Sequence, residues 1–212
     1  MKGGFSTPDV RSIVRDVAKA VKFLHQLKYV HCDIKLDNIV LTQPGVTKQL
    51  HAKLVDYGSV RQWKPGRNNT AMVQTRTHRA PEVHLMRGWT PAIDVWSIGT
   101  VAAELYMGDI LFHSQSLQES LAAIYSLCGR FPLEMIPKHL GRYFDEEGNV
   151  WNADELIQRQ TAPKQHQVNK LLLKDIFRKE DFHLANVVRS MLIINPEARA
   201  SMAEVVRSPF FN

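Results

Sequence analysis

The sequence predicts a mainly α-helical domain with one small β-hairpin, and three observations carry this prediction. Apolar residues recur at helical spacing from position 7 onward, which predicts a long amphipathic helix. A second, almost wholly apolar helix is expected after Thr90-Pro91. Between them, the apolar run 39–41 and a return segment, 51–55, flank a Gln43-Pro44-Gly45 turn, which predicts two paired strands.

Composition and charge limit the classes of protein to which this chain can belong. The chain has 212 residues, 44% of them hydrophobic, so we expect one domain over 1–212 with a real core. Lys and Arg number 27 against 21 Asp and Glu, and the net charge of +6 favours anionic partners in general without identifying one. The longest apolar stretch, 95–107, is interrupted by polar residues and is shorter than the roughly 20 residues of a membrane span, so we expect no membrane association. Cys32 and Cys128 lie far apart with no secretory leader before them, which predicts free thiols in a reducing compartment.

The first helix should begin at Thr7 as its N-cap, with Pro8 in the first turn and Asp9 placed to suit the helix dipole. Its apolar face is expected to consist of Val10, Ile13, Val14, Val17, Val21 and Leu24. About four turns of helix would then deliver the chain to His31.

The stretch that follows, 31–38, has the pattern His-x-Asp-x-Lys-x-x-Asn. Phosphoryl transfer needs a carboxylate near the attacking hydroxyl, a cation near the transferred phosphate and an oxygen ligand for a metal. Asp33, Lys35 and Asn38 supply these three groups within one short loop. The pattern therefore predicts a catalytic loop.

Two further motifs follow in order. Asp56-Tyr57-Gly58 comes directly after an apolar run, so a second carboxylate would sit at a strand end, where it could hold magnesium between phosphates. Arg79-Ala80-Pro81-Glu82 comes next. With the loop at 31–38, these motifs resemble the signature of a eukaryotic protein kinase. Lys35, two positions after Asp33, resembles the form of the loop that is directed to Ser and Thr.

The resemblance implies ATP and Mg²⁺ as cofactors and assigns roles to single residues. Asp33 would act as the base and Lys35 would stabilise the γ-phosphate, with Thr75 close to both. The metal ligands would be Asn38 and Asp56. The nucleotide would contact Lys35, Asn38, Val40 and Asp56, with Val40 beneath the adenine. Structural support would come from His31, Tyr57, Gly58, Arg79, Glu82, Asp94 and Arg199. In this last set, Asp94 would hold the backbone of the catalytic loop and Arg199 would pair with Glu82.

The resemblance also divides the chain and narrows the family. It implies a catalytic loop at 31–38, an activation segment at 56–82 and an insert at about 112–165. Residues 75–83 and 94–99 look like the CMGC group and most like a divergent CDC-like (LAMMER) dual-specificity kinase, although the Met-Glu-Arg centre of that family's named segment is absent from 119–129.

Partners and location follow from the same resemblance. It implies protein substrates, namely Arg/Ser-rich splicing factors, and a location in the nucleus and/or cytoplasm. A net charge of +6 opposes basic peptides, and only the acids at 145–147 and 154–155 offer them a local dock.

Cys32 stands where many kinases have an arginine that grips a phosphate on the activation segment. A thiol cannot form such charge-assisted hydrogen bonds. We therefore expect activity that does not depend on phosphorylation of the segment.

No glycine-rich phosphate loop with its lysine strand is found before the catalytic loop, and Gly3-Gly4 is too short to form one. The sequence therefore reads as the helical C-terminal lobe alone, without the N-terminal β lobe, and we expect this stretch by itself to be inactive as an enzyme.

Three other hypotheses were weighed. The chain could be a catalytically inactive binding or regulatory module derived from a kinase, and an upstream glycine-rich loop in frame would decide against this. Basic residues around Trp63 could bind RNA, but a solvated loop facing substrate is the simpler interpretation, and we do not expect nucleic acid as a partner. A metal protein is not expected either, because none of the nine histidines falls at zinc-ligand spacing.

Overall fold

Helices dominate the computed structural model, which describes residues 4–42, 50–161 and 176–212. The helices are α1 (Thr7–Gln26), α2 (Pro81–His84), α3 (Ala92–Met107), α4 (Leu117–Cys128), α5 (Ala153–Thr161), α6 (Phe182–Met191) and α7 (Met202–Val206). The strands are β1 (Tyr29–Val30), β2 (Ile39–Thr42), β3 (His51–Leu54) and β4 (Arg61–Gln62). The turn expected at 43–45 and the end of the expected insert, 162–165, lie outside the described residues.

The strands form two small antiparallel pairs. In the first, β2 pairs with β3, from Ile39 opposite Leu54 to Thr42 opposite His51. The second pair, β1 with β4, was not predicted, because two residues are too short to show a periodic pattern. It joins the strand that enters the catalytic loop to a strand of the activation segment, with Val30 opposite Arg61.

Helix α1 buries its apolar stripe and begins one residue earlier than expected. Ser6, rather than Thr7, is the N-cap, since its hydroxyl oxygen accepts a hydrogen bond from the Asp9 amide at 3.3 Å. Thr7 is the first helical residue, and its hydroxyl donates to Asp181 at 2.6 Å, which ties α1 to the start of α6. The start predicted from the sequence lies one residue late because adjacent Ser6 and Thr7 both carry a hydroxyl that can cap a helix.

Helix α3 is the buried centre of the molecule, as its composition predicts. Trp96 and Ile98 have no exposed surface. At its start, the Thr90 hydroxyl accepts a hydrogen bond from the Ala92 amide at 3.3 Å. A Cβ on Gly99 would lie 3.0 Å from the Cβ of Met191, so the absence of a side chain there lets α3 approach α6 closely.

The first turns of α4 and α7 are capped by side chains of the same segments. Ser116 and Glu119 form a reciprocal capping box at the start of α4. The capping box predicted at the start of α7 is confirmed, with Ser201 and Glu204 exchanging backbone hydrogen bonds. Within the described residues, no helix is both long and apolar enough to cross a membrane.

Candidate active site

One buried carboxylate holds the start of the catalytic loop. Asp94, in the first turn of α3, has no exposed surface and accepts hydrogen bonds from the backbone amides of His31 at 2.8 Å and Cys32 at 3.0 Å. Cys32 has a φ of +68°, a left-handed conformation that costs a residue other than glycine about 1–2 kcal/mol. The two charge-assisted hydrogen bonds to Asp94 offset this cost.

The same carboxylate also contacts a residue that sequence reasoning missed. The Nε2 atom of His25, near the end of α1, lies 2.9 Å from the Asp94 carboxylate, so α1, α3 and the catalytic loop meet at one point. His25 precedes His31 by six positions within a helical pattern. Nothing in that spacing distinguishes it from a surface histidine.

Asp33, Lys35 and Thr75 form a closed triangle of hydrogen bonds. The Thr75 hydroxyl lies 2.7 Å from Asp33 Oδ1, and the Thr75 amide donates to the same oxygen at 3.1 Å. Lys35 Nζ lies 3.1 Å from Asp33 Oδ2 and 3.1 Å from Thr75 Oγ1. The structure thus brings together the carboxylate, the cation and the threonine that the sequence analysis assigned to catalysis.

The surroundings of Asp33 keep its carboxyl ionised. Partial burial by itself would raise the pKa of Asp33, but hydrogen bonds from Thr75 and Lys35 and the charge of Lys35 outweigh this effect. The net result is a pKa of Asp33 below its usual value of 3.8. At neutral pH, Asp33 can therefore orient a hydroxyl and accept its proton.

Asn38 is oriented by Asp33 on one side and by the hairpin on the other. Its Nδ2 donates to the Asp33 carbonyl at 2.8 Å and to Asp33 Oδ2 at 3.3 Å. These bonds leave Oδ1 as the atom of the amide that can bind a metal. The Asn38 carbonyl accepts from the Val55 amide at 2.9 Å, so the loop residue and the end of the strand before Asp56 are joined directly.

Asp56 presents its carboxylate to solvent in a left-handed conformation, with φ of +59°. Its Oδ1 accepts a hydrogen bond from the Gly58 amide at 3.2 Å. Asp56 with Asn38 offers a small set of protein oxygen ligands, which suits Mg²⁺, an ion that takes its remaining ligands from water and phosphate. Among the described residues, no three His, Cys, Asp or Glu side chains cluster as a metal site.

The aromatic residue of the Asp56-Tyr57-Gly58 motif is half exposed and is not packed in the core. Tyr57 is 50% exposed, and its hydroxyl donates to the Leu54 carbonyl at 3.2 Å. Its ring meets the His31 ring edge to face, with centroids 5.4 Å apart. Val40, on β2, is 49% exposed. These apolar side chains border the candidate nucleotide site.

The end of the activation segment is held by a buried amide that sequence reasoning also missed. Gln74 donates from Nε2 to the Ile93 carbonyl at 2.9 Å and to the Ser97 hydroxyl at 2.8 Å, and its Oε1 accepts from the Ala80 amide at 3.0 Å. Arg79 Nη2 donates to the Gln74 carbonyl at 2.8 Å. Gln74 precedes Thr75 and has a φ of +68°, so these bonds fix the backbone that presents Thr75 to Asp33.

A buried ion pair and a histidine–carboxylate contact fasten the segment to the rest of the domain. Arg199 binds both carboxylate oxygens of Glu82, at 2.7 and 2.8 Å, and its other donors reach backbone carbonyls. His78 Nε2 lies 2.9 Å from Glu104 on α3. The pairing of Arg199 with Glu82 was expected from the resemblance, whereas the contact of His78 with Glu104 was not expected from the sequence.

Comparison with known proteins places this site in a family. The family model described as protein kinase domain matches residues 1–211. The chain belongs to the protein kinase domain family. A crystal structure of a kinase domain superposes with a TM-score of 0.80 at 26% identity, and the match covers 100% of this chain and 67% of that one.

Within that family, the chain is similar to dual-specificity kinases of the CLK type, which confirms the resemblance to CDC-like kinases. Human dual specificity protein kinase CLK1 is 29% identical over 223 residues, a match covering 98% of this chain and 45% of that protein. The probable dual specificity protein kinase madd-3 of Caenorhabditis elegans is 31% identical over 217 residues, which are 94% of this chain and 23% of that protein. Serine/threonine-protein kinase Doa of Drosophila melanogaster is 30% identical over 224 residues, a match covering 96% of this chain and 26% of that protein. The chain thus spans less than half the length of these relatives.

Proposed function

We propose that this chain transfers the γ-phosphate of ATP to Ser or Thr hydroxyls of protein substrates, and to Tyr hydroxyls as in dual-specificity kinases. The observation that carries the proposal is the triangle of Asp33, Lys35 and Thr75, because it places an ionised carboxylate and a cation within 3.1 Å of each other. The catalytic effect would come from positioning and from stabilisation of charge.

Each residue has a stated part in this reaction. Asp33 orients the acceptor hydroxyl and takes its proton, and Lys35 stabilises charge on the transferred phosphoryl group. Asn38 and Asp56 would hold Mg²⁺, which would neutralise the phosphates of bound ATP. Val40 would contact the adenine, consistent with its exposed position on β2.

We further propose that the chain works as the C-terminal lobe of the kinase fold, with the catalytic loop at 31–38, the activation segment at 56–82 and the insert at about 112–165. Val40 and Tyr57 are each about half exposed. Apolar surface of this kind would be covered by a strand-rich lobe that closes over the nucleotide. The proposed location is the nucleus and/or cytoplasm, which a fluorescent fusion would test.

Magnesium-dependent nucleotide binding tests the proposed site. Calorimetry with Mg-ATP would be run on the 212-residue chain and on the same chain fused behind the strand-rich lobe of human CLK1. We expect binding by the fusion and none tighter than about millimolar by the chain alone, because half of the cleft is open to water. The Asp56→Asn variant should lose binding in the fusion, whereas the Asp37→Asn variant, an exposed carboxylate on the same loop, should keep it. Equal binding by the two variants would contradict the assignment of the metal site.

We also propose that the activation segment does not need phosphorylation to keep its shape. The Cys32 side chain is buried against the Val30 carbonyl and is no phosphate ligand. The segment is held instead by hydrogen bonds to its backbone. The Trp63 amide donates to the Lys28 carbonyl at 2.8 Å, and the Trp89 indole donates to the Ala71 carbonyl at 3.0 Å. Substitution of the exposed Thr70 by Ala should leave activity of the fusion within about twofold, and its loss would refute this proposal.

A further inference from the structure

The activation segment carries an unbalanced positive charge. Between positions 57 and 80 there is no Asp or Glu. The basic side chains of this stretch are Arg61, Lys64, Arg67, Arg76 and Arg79. We call these five residues the basic segment.

No member of the basic segment forms an ion pair with an acidic side chain anywhere in the described ranges 4–42, 50–161 and 176–212. Other basic residues do find acids there, as Arg199 does with Glu82 and Arg130 with Glu147. The hydrogen bonds that Arg61 and Arg79 make are donated to backbone carbonyls, which carry no net charge. The charge of the segment is therefore available to a partner.

Two of these cations, Arg76 and Arg79, lie near enough for their charges to interact. Arg76 and Arg79 are both only partly exposed. Burial, followed by the positive charge of Arg76, lowers the pKa of Arg79 from its usual value. Two like charges that share a partly buried site repel each other, and an anion placed between them would relieve that repulsion.

This pair lies beside the point where the acceptor hydroxyl must sit. Arg76 directly follows Thr75, whose hydroxyl is 2.7 Å from Asp33. Arg61 is paired across the β1–β4 ladder with Val30, the residue just before the catalytic loop. Groups flanking the acceptor residue of a bound peptide would therefore lie near cations of the basic segment.

We propose that the substrates of this kinase are peptides whose acceptor hydroxyl is flanked by anionic groups, either carboxylates or phosphoryl groups. This inference rests on the proposed function and departs from the Arg/Ser-rich substrates that resemblance to CDC-like kinases implies. A basic peptide would place positive charges next to the basic segment. Repulsion between these like charges disfavours binding of a basic peptide.

A nucleic acid would also bring negative charge, but the aromatic residue that it would need is occupied. Single strands are bound by stacking of bases on free aromatic faces. Trp63 lies among the cations of the segment's first half, where its ring is partly buried, and Lys28 Nζ lies over it at 5.6 Å from the ring centroid. The peptide is therefore the better-supported occupant.

The test is peptide binding without nucleotide, measured by fluorescence anisotropy on the 212-residue chain. Three labelled peptides share one Ser in a neutral Gly/Ala frame and differ only in the flanking residues, which are Glu, phosphoserine or Arg. We expect the Glu and phosphoserine peptides to bind at least about tenfold more tightly than the Arg peptide, with a gap that narrows as salt is added. Tighter binding of phosphoserine than of Glu would identify phosphoryl groups as the preferred source of charge, and equal binding would identify charge alone.

The Arg76→Gln variant should weaken binding of the two acidic peptides by about five- to tenfold and change that of the Arg peptide by less than about twofold. The control is Arg189→Gln, which removes the same charge from an exposed position on α6 and should have no effect. Circular dichroism would show that both variants are folded.

Equal binding of the three peptides, binding of none of them at about 1 mM, or tighter binding of a single-stranded oligonucleotide of equal charge would each overturn the inference. Neither nucleotide nor phosphate transfer takes part in this measurement, so its failure can be distinguished from failure of the kinase proposal. A chain that binds acidic peptides and no Mg-ATP in the CLK1 fusion would refute the kinase proposal alone.

Discussion

Asp94 offers the sharpest test of how the fold holds the candidate active site. Its carboxylate accepts hydrogen bonds from two buried backbone amides, those of His31 and Cys32. In the Asp94→Asn variant, only one of the two side-chain atoms can accept, so one buried N–H faces another donor. Leaving a buried donor unsatisfied costs about 1–3 kcal/mol, and loss of charge from the remaining bond costs about 1 kcal/mol more.

A neutral amide is also less costly to bury than a carboxylate, which reduces the loss slightly. We therefore expect the free energy of unfolding of Asp94→Asn to fall by about 2–4 kcal/mol. Urea titration at pH 7, followed by circular dichroism and by tryptophan fluorescence, would show this as a midpoint lowered by about 1 M.

Asp109 provides the matched control, since it lies just beyond the other end of α3, is 63% exposed and is 3.3 Å from His113. Its replacement by Asn should change the free energy of unfolding by less than about 0.5 kcal/mol. If the two variants lost equal stability, the role assigned to Asp94 in holding the loop would be refuted.

Three further predictions follow from other buried groups. The Arg199→Met variant leaves the buried Glu82 carboxylate without its partner and should lose about 3–5 kcal/mol of unfolding free energy. The double variant with Glu82→Gln should recover part of this loss, and a double variant less stable than Arg199→Met alone would contradict the assigned pairing. The pKa of His84 falls from its usual 6.5 to about 3, first because of burial and then because of nearby arginines, so only the unfolded state takes up this proton between those pH values. The stability that neutral His84 contributes is complete above pH 6.5 and is lost as the pH falls, by about 2 kcal/mol at pH 5. In urea titrations, the wild type should therefore lose about 2 kcal/mol more unfolding free energy between pH 7 and 5 than His84→Gln does. The control variant, at the exposed His183 (His183→Gln), should show the same pH dependence as the wild type. Gln74→Leu leaves the Ala80 amide unsatisfied, and it should cost about 1–3 kcal/mol and speed hydrogen exchange at Ala80, whereas unchanged exchange would show that the amide has another acceptor.

The parts of the fold that the sequence could predict are those that a local pattern encodes. The stripe of α1, the apolar α3 and the capping box of α7 each follow from the spacing of side chains within one element. The start of α1 was placed one residue late, because adjacent Ser6 and Thr7 offer the same hydroxyl. The pairing of β1 with β4 depends on a contact between distant short segments, and no local pattern records it.

The candidate site divides in the same way. Some site residues could be named from the sequence because the spacing of their motifs is typical of phosphoryl transfer. These residues are Asp33, Lys35, Asn38 and Asp56. His25 and Gln74 could not be named in this way, because their roles depend on burial and on partners far along the chain. A buried glutamine with a positive φ has no signature in composition, and its importance appears only from the hydrogen bonds that it makes.

The central claim, that Asp33 serves phosphoryl transfer, is tested most directly by measuring phosphate incorporation from Mg-ATP into a Ser-containing acidic peptide. The enzyme would be this chain fused behind the strand-rich lobe of human CLK1, compared with Asp33→Asn and with the neighbouring exposed control Asp37→Asn. We predict transfer by the fusion, a loss of about 10²–10⁴-fold in Asp33→Asn and little change in Asp37→Asn. A folded, nucleotide-binding fusion that transfers no phosphate, or one in which Asp33→Asn is as active as the control, would contradict the claim.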